Sequence, residues 1–304
     1  METLFSGLIL LDKPAGVTSC KALFPIRKIF HTRRVGHAGS LDLRASGLIV
    51  AAVGRATRLL SFVESGEKSY TFNAHFGYST DTDEWDGELI SQDPQEAPIS
   101  AEEIQKVLPQ FRGEIDQVPP DFSAVKIQGK RASDLALKGR SFELKSRKIF
   151  IRNLSLVGRA SAPQNISGRI RSSFEFSCDC SKGTYIRSLV RDIARALGTC
   201  GVVSGIRRTR IGSLSVADAV LPSSLDENSL CTPQSLLPFP VVKLTPSELE
   251  FIRNGNSIAW NTPVAFSDGA PNVVLAEDES GTLQSACSYA NGKLYAKFFL
   301  GSDN

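Results

Sequence analysis

Apolar and polar positions alternate most clearly at Tyr70, Phe72, Ala74 and Phe76, and again at Phe174, Phe176, Cys178 and Cys180. A period of two puts each set on one face, so both runs predict half-buried β-strands. The apolar LILL predicts a first strand over residues 7–12, stopped by the turn Asp-Lys-Pro-Ala-Gly. LIVAAV and the later GVVSGIRRTRIGSL predict two more strands.

Helical spacing replaces alternation in three places. Ala22, Leu23, Ile26, Ile29 and Phe30 predict a helix from Cys20 to Phe30, capped by Thr18 or Ser19. Residues 100–111 follow a capping box, Ser100 with Glu103 three positions on. Ile186, Leu189, Val190, Ile193 and Leu197 form one stripe of a helix over residues 185–197, with Arg187, Arg191 and Arg195 together beside it. The acidic DTDEWDG reads as a turn, and residues 118–145 mix paired prolines, a short strand, a basic turn and a brief helix. Residues 238–243 read as a linker to a β-rich segment at 241–304.

Composition adds little until charge is mapped along the chain. A length of 304 residues, 41% of them hydrophobic, suits a soluble globular protein with a full core. No apolar run nears the ~20 residues needed to span a bilayer, and the opening residues lack a basic n-region. With no disulfide framework among six scattered cysteines, a reducing, cytoplasmic setting is expected. Cys178 and Cys180 lack a second Cys or His pair and read as small core residues rather than metal ligands.

The net charge of +3 hides two basic tracts. From Lys13 to Leu60 there are nine Lys or Arg and one acid, and from Lys182 to Gly212 seven and one. A polyanion-binding surface would use such tracts, with Lys13, Lys182, Arg207 and Arg208 as candidate contacts, but two solvated helix faces fit the charge bias equally. Residues 241–304 carry four basic and seven acidic side chains, which argues against strong phosphate binding there.

Asp42 is the only acid in the first tract, in the glycine-containing stretch RRVGHAGSLD. Neighbouring positive charge keeps a carboxylate ionised, fit to act as nucleophile or base. A turn aspartate bonding its own backbone is the plainer alternative. No GxSxG elbow, phosphate-binding loop or helical zinc pair is present, so no cofactor and no metal is expected. Tyr70 and Tyr185 each stand near basic residues; an aromatic face that replaces lost base stacking contributes ~1–3 kcal/mol. Together with the basic tracts, these tyrosines make RNA the leading polyanion.

Eight blocks in order, LILLDKPAGVTS, RRVGHAGSLDLRASGLI, GRATRLL, KSYTF, YSTDTDEWDGEL, VPPDFSAVKIQGKRAS, CSKGTYIRSLVRDIARALG and GIRRTRIG, resemble the bacterial tRNA pseudouridine synthase family, TruB, over residues 5–220. The resemblance implies an α+β fold. Residues 1–240 would form a mixed-sheet pseudouridine synthase catalytic core with an RNA-gripping loop at 118–145, and residues 241–304 a small, β-rich, PUA-like domain. It further implies isomerisation of the uridine at position 55 in the T-arm loop of tRNA; a monomer with no membrane partner is expected. By motif, Asp42 would be the catalytic aspartate, Arg187 its partner in a buried ion pair, and Tyr70 the ring stacked on the uracil. His37 would be the loop residue near the extruded base, Tyr185 would line the pocket, and Ile206 would stand where the family usually has leucine. Lys126, Lys130, Arg131, Lys138 and Arg140 would meet phosphates. One departure is Leu43, where the family pattern has proline after the aspartate; without it the following dihedral is less restricted. A non-catalytic RNA-binding protein, or a hydrolase using Asp42 as base, are the rival readings.

Overall fold

The computed structural model describes residues 6–262, 264–266 and 272–301. The alternating runs lie in the strands Lys68–Phe76 and Ser172–Cys180, which pair antiparallel with Phe72 opposite Phe176. Those two rings stack with centroids 5.5 Å apart, and Cys178 and Cys180 are buried in line with Phe174 and Phe176. The cysteines are therefore core side chains, as their spacing predicts.

By contacts the chain forms two compact units: a mid-chain unit of Leu43–Gly47 with Gly66–Ile211, and a terminal unit of Met1–Asp42, Leu48–Ser65 and Gly212–Asn304. In the mid-chain unit the strand order is Gly201–Ile211, Lys68–Phe76, Ser172–Cys180, Arg147–Arg159, Gly113–Gln117, all antiparallel. Ser46 and Gly47 add a parallel pairing to Arg207 and Arg208, so the sheet is mixed. Gly47 has φ +103, and a Cβ there would lie 2.2 Å from the Arg208 carbonyl oxygen, so only glycine permits this approach.

The helix Ile186–Ala196 packs on the strands Gly201–Ile211 and Lys68–Phe76 and buries Leu189, Val190, Ile193 and Ala194. Burial of each larger aliphatic side chain contributes roughly 1.5–3 kcal/mol. Ala194 comes so close to Gly201 that a Cβ there would be 2.9 Å from it. His75 is buried within the sheet, its two ring nitrogens each 2.7 Å from a hydroxyl, Ser173 on one side and Ser204 on the other.

In the terminal unit, Gly7–Lys13 neighbours Ser46–Val53, which pairs antiparallel with Val35–Ala38. Ile9, Leu11, Leu23, Ile26, Phe30, Ala51 and Val53 close one core cluster. A separate five-stranded sheet runs Val241–Lys243, Val274–Glu277, Leu283–Ala290, Lys293–Phe299, Ser257–Ala259. The helix Pro246–Arg253 accompanies it, started by a Thr245–Glu248 capping box. Arg58 donates to the Phe299 carbonyl at 3.1 Å, and Arg55 to that of Gly301.

The α+β class, the mixed sheet and the β-rich C-terminal segment agree with expectation; three local readings do not. The helix expected over Cys20–Phe30 is two, Ser19–Ala22 and Phe24–Ile29, because Pro25 cannot sit in the interior of a continuous helix and instead opens the second. Thr18 is the cap of the first, accepting from the Lys21 N–H. The linker expected at 238–243 ends in a strand, since Val241–Lys243 pairs parallel with Val274–Glu277. The 100–111 helix has the predicted capping box but is α-helical only over Ala101–Val107, tightening to a 3₁₀ turn at Leu108–Phe111. Among the described residues no helix is long and apolar enough to cross a membrane.

Candidate active site

Tyr70 belongs to a strand face that points into the mid-chain core, and it is 8% exposed. Its neighbour in register is Arg208, itself 1% exposed, which hydrogen-bonds the phenol oxygen. Burial raises the phenol pKa and outweighs the nearby guanidinium, so Tyr70 is a neutral hydroxyl at physiological pH. Arg208 was expected among surface RNA contacts; the alternation of its strand turns it inward, while Arg207 is half-buried. Ile206 is also buried, 6% exposed.

Tyr185 is the residue before the first turn of Ile186–Ala196. Gln117 holds it: the Tyr185 N–H donates to Gln117 Oε1 at 2.8 Å, and Gln117 Nε2 donates to the Tyr185 carbonyl at 3.1 Å. The Arg147 guanidinium lies over the tyrosine ring, 5.2 Å from its centroid.

The three helix arginines do not share one environment. Arg187 is buried, donating from Nη1 to the Thr82 carbonyl at 3.2 Å and from Nη2 to that of Phe122 at 2.9 Å. Arg191, one turn on, pairs with Asp83 at 3.0 Å and donates to the Val118 carbonyl at 2.7 Å. Arg195 is exposed beside Asp192. Two arginines on one helix face therefore grip both the 82–83 turn and the root of the basic segment 118–145. Asp83 holds a left-handed backbone, φ 60. Burial raises its pKa despite Arg191 and Arg187 nearby.

That basic segment is a small hairpin. Lys126–Ile127 pairs with Lys130–Arg131 across Gln128 and Gly129, both at positive φ, a two-residue turn matching strand twist. Lys126, Lys130 and Arg131 are exposed on it, followed by the helix Ala132–Ala136. Lys138, Arg140 and Lys182 are exposed as well.

The terminal unit carries the remaining candidates. His37 lies in the strand Val35–Ala38 opposite Ala51, half-buried, and not in a loop as expected, because the VGHA run completes a ladder with residues 50–53. Lys13, expected at phosphates, is fully buried; its ammonium donates to the carbonyls of Pro14 at 2.9 Å and Val17 at 2.6 Å and so orders the DKPAG turn. Asp42 is exposed in an irregular segment, where a buried acid was expected. Its preceding peptide is clamped by Ser19, whose hydroxyl accepts from the Leu41 N–H at 2.9 Å and donates to the Leu41 carbonyl at 3.1 Å. Tyr70, Tyr185, Arg187, Ile206, Arg207 and Arg208 belong to the mid-chain unit, which the chain enters at Leu43.

Ser19, Asp83 and Gln117 were not singled out from sequence. Each works through a partner far along the chain, and only the capping position of Thr18–Ser19 gave any local signal. Among the described residues no group of three or more His, Cys, Asp or Glu is arranged to hold a metal ion.

Comparison with known proteins agrees with the motif order. Residues 27–186 match the model of the TruB family pseudouridylate synthase N-terminal domain. A tRNA pseudouridine synthase B of Borreliella burgdorferi is 40% identical over 251 residues, 82% of this chain and 85% of that protein. One from a Mycobacterium species is 38% identical over 263 residues, covering 83% and 84%. Among solved structures, an H/ACA ribonucleoprotein bound to a substrate RNA containing 2'-deoxyuridine matches with a TM-score of 0.61 at 21% identity, covering 93% of this chain and 77% of that one. A Cbf5–Nop10–Gar1 complex matches at 0.64 and 21%, covering 96% and 84%, a likeness of fold. Family model and relatives together cover most of the chain, which belongs to the TruB family of pseudouridylate synthases.

Proposed function

We propose that this enzyme isomerises uridine to pseudouridine in tRNA, at position 55 of the T-arm loop, with Asp42 as the reactive carboxylate. The relatives named tRNA pseudouridine synthase B, at 38–40% identity over more than four fifths of the chain, support the reaction class and the RNA substrate. The reaction breaks N1–C1′, turns the uracil within the site and rejoins it through C5. It is redox-neutral, and the leaving base is also the incoming one.

The observation that carries the role of Asp42 is its setting. It is the one acid of the first basic tract, and Ser19 holds the peptide beside it by two hydrogen bonds. An extracted base needs an aromatic surface to replace its stack, which we assign to Tyr70, with Tyr185 lining the pocket and Ile206 as its apolar wall. Arg187 would orient the carboxylate. Its planar fork has five N–H donors, and the Thr82 and Phe122 carbonyls fix its plane. His37 would enter the space left by the base, and the Lys126–Arg131 hairpin would grip the T-arm phosphates. Attack at C1′, addition to the ring and proton abstraction from the ribose all place the carboxylate at nearly the same point.

Asp42→Asn tests this reading. The variant is expected to fold and bind tRNA normally while releasing no tritium from 5-tritiated uridine in a single-turnover assay. Retained turnover would refute the assignment, and tritium release from a tRNA carrying cytidine at position 55 would refute the target position.

A further inference from the structure

We infer that the ion pair between Arg44 and Asp86 is a positioning device for Asp42, supplying order to the two residues that follow it. The inference rests on the reading of Asp42 as the reactive carboxylate.

Asp42 stands in a segment without regular structure, yet the chain on each side of it is tied down. On the N-terminal side, Ser19 closes both hydrogen bonds of the Leu41 peptide. On the C-terminal side, Arg44 Nε lies 2.5 Å from Asp86 Oδ2. Three residues further, Gly47 meets the backbone of Arg208 so closely that no side chain fits. Residues 43–45 are thus held at both ends, and the Arg44 side chain ties them to Asp86.

The anchor at the other end of the pair is rigid. Asp86 belongs to the turn after Tyr78–Thr80, and that turn is laced to the strand Gly201–Ile211. The Trp85 N–H donates to the Val203 carbonyl and the Val203 N–H to the Asp83 carbonyl, each at 3.1 Å. Within the turn, the Thr80 hydroxyl donates to the Glu84 carbonyl at 2.6 Å and the Glu88 N–H to Asp81 Oδ1 at 2.8 Å. Its acids divide their work, Asp83 holding Arg191 of the helix and Asp86 holding Arg44 of the loop. An acidic stretch that reads from sequence only as a turn is therefore scaffolding.

The pair is half-exposed, with side chains 49% and 23% accessible, so its contribution to overall stability is small. Its value lies in geometry, because a reactive group displaced by about 1 Å can cost roughly a hundredfold in rate. Arg44 could instead meet RNA phosphate directly, and Asp86 separates the two roles. A phosphate contact gains nothing from a neighbouring carboxylate, whereas a tether needs it.

The test is a double-mutant cycle, Arg44→Ala, Asp86→Ala and both together, read by single-turnover tritium release, tRNA Kd and thermal unfolding. Each single variant is expected to lose about ten- to a hundredfold in rate with Kd and melting unchanged, and the double variant to be no slower than the slower single. Wild-type rates in either single variant overturn the inference. So do multiplying defects, or a loss confined to the Kd of Arg44→Ala. Asp42→Asn runs alongside: its turnover would sink the underlying reading, whereas an inactive Asp42→Asn beside a fully active Arg44→Ala sinks only the tether.

Discussion

The Gln117 side chain satisfies both backbone groups of Tyr185, 68 residues away, at 2.8 and 3.1 Å. Gln117 is 1% exposed, so its amide has no water to fall back on, and this pairing sets where the helix Ile186–Ala196 begins. Gln117→Leu keeps the volume but leaves the Tyr185 N–H and carbonyl without that partner. We expect a loss of about 2 kcal/mol in urea unfolding and a weakened single-turnover reaction, since Tyr185 and Arg187 shift together. Unchanged stability would show that the start of the helix is held by packing alone.

Arg191 and Asp83 form a second support, with side chains 17% and 14% exposed. Arg191→Met strands a carboxylate that burial already disfavours, and removes the bond to Val118. The expected cost is roughly 3–5 kcal/mol. Asp83→Asn in the Arg191→Met background should restore much of it, because asparagine tolerates the left-handed backbone and carries no charge. Additive losses in chemical denaturation would count against the pair.

His75 makes stability fall in mild acid. Burial lowers its pKa from 6.5 to about 4 in the folded chain. One nitrogen donates to a serine and the other accepts from one, which suits the neutral ring. Above the unfolded pKa both states are neutral and the group has no effect. As pH falls from about 6.5 to 4 the unfolded chain takes up the proton first, and roughly 3 kcal/mol of stability is lost. Unfolding curves of His75→Gln should lack that part of the acid dependence; an identical pH profile would refute it.

The Lys126, Lys130 and Arg131 hairpin should act through charge. Replacing all three with alanine is expected to weaken tRNA binding and reduce the salt slope of log K by about two to three. Nitrocellulose filter binding across a salt series reads this directly. A weakened Kd with the original slope would mean that the hairpin acts by shape and not by phosphate contact.

Much of the fold was readable locally. Alternation at Tyr70–Phe76 and Phe174–Cys180 located two central strands, and a 3.6-residue stripe located the helix that carries Arg187. Side-chain pitch is a property of a few adjacent residues, so a linear reading captures it. Pro25 split one expected helix for an equally local reason, the missing N–H and the ring clash. Motif order was enough to indicate the family and to single out Asp42.

Burial and partnership belonged to the tertiary structure. Lys13 and Arg208 look from sequence like cations for RNA, yet each is buried: Lys13 against the carbonyls of the turn that follows it, Arg208 against the phenol of Tyr70, far from it along the chain. Ser19 reaches Leu41 across 22 residues, Gln117 reaches Tyr185 across 68, and Arg44 reaches Asp86 from a different segment. Sequence alone determined which residues could do chemistry, because ionisation, aromaticity and backbone freedom are intrinsic to the residue. Which of them are held in place was decided only by folding, because a hydrogen bond or ion pair depends on distance, and distance is set by the packing of the whole chain.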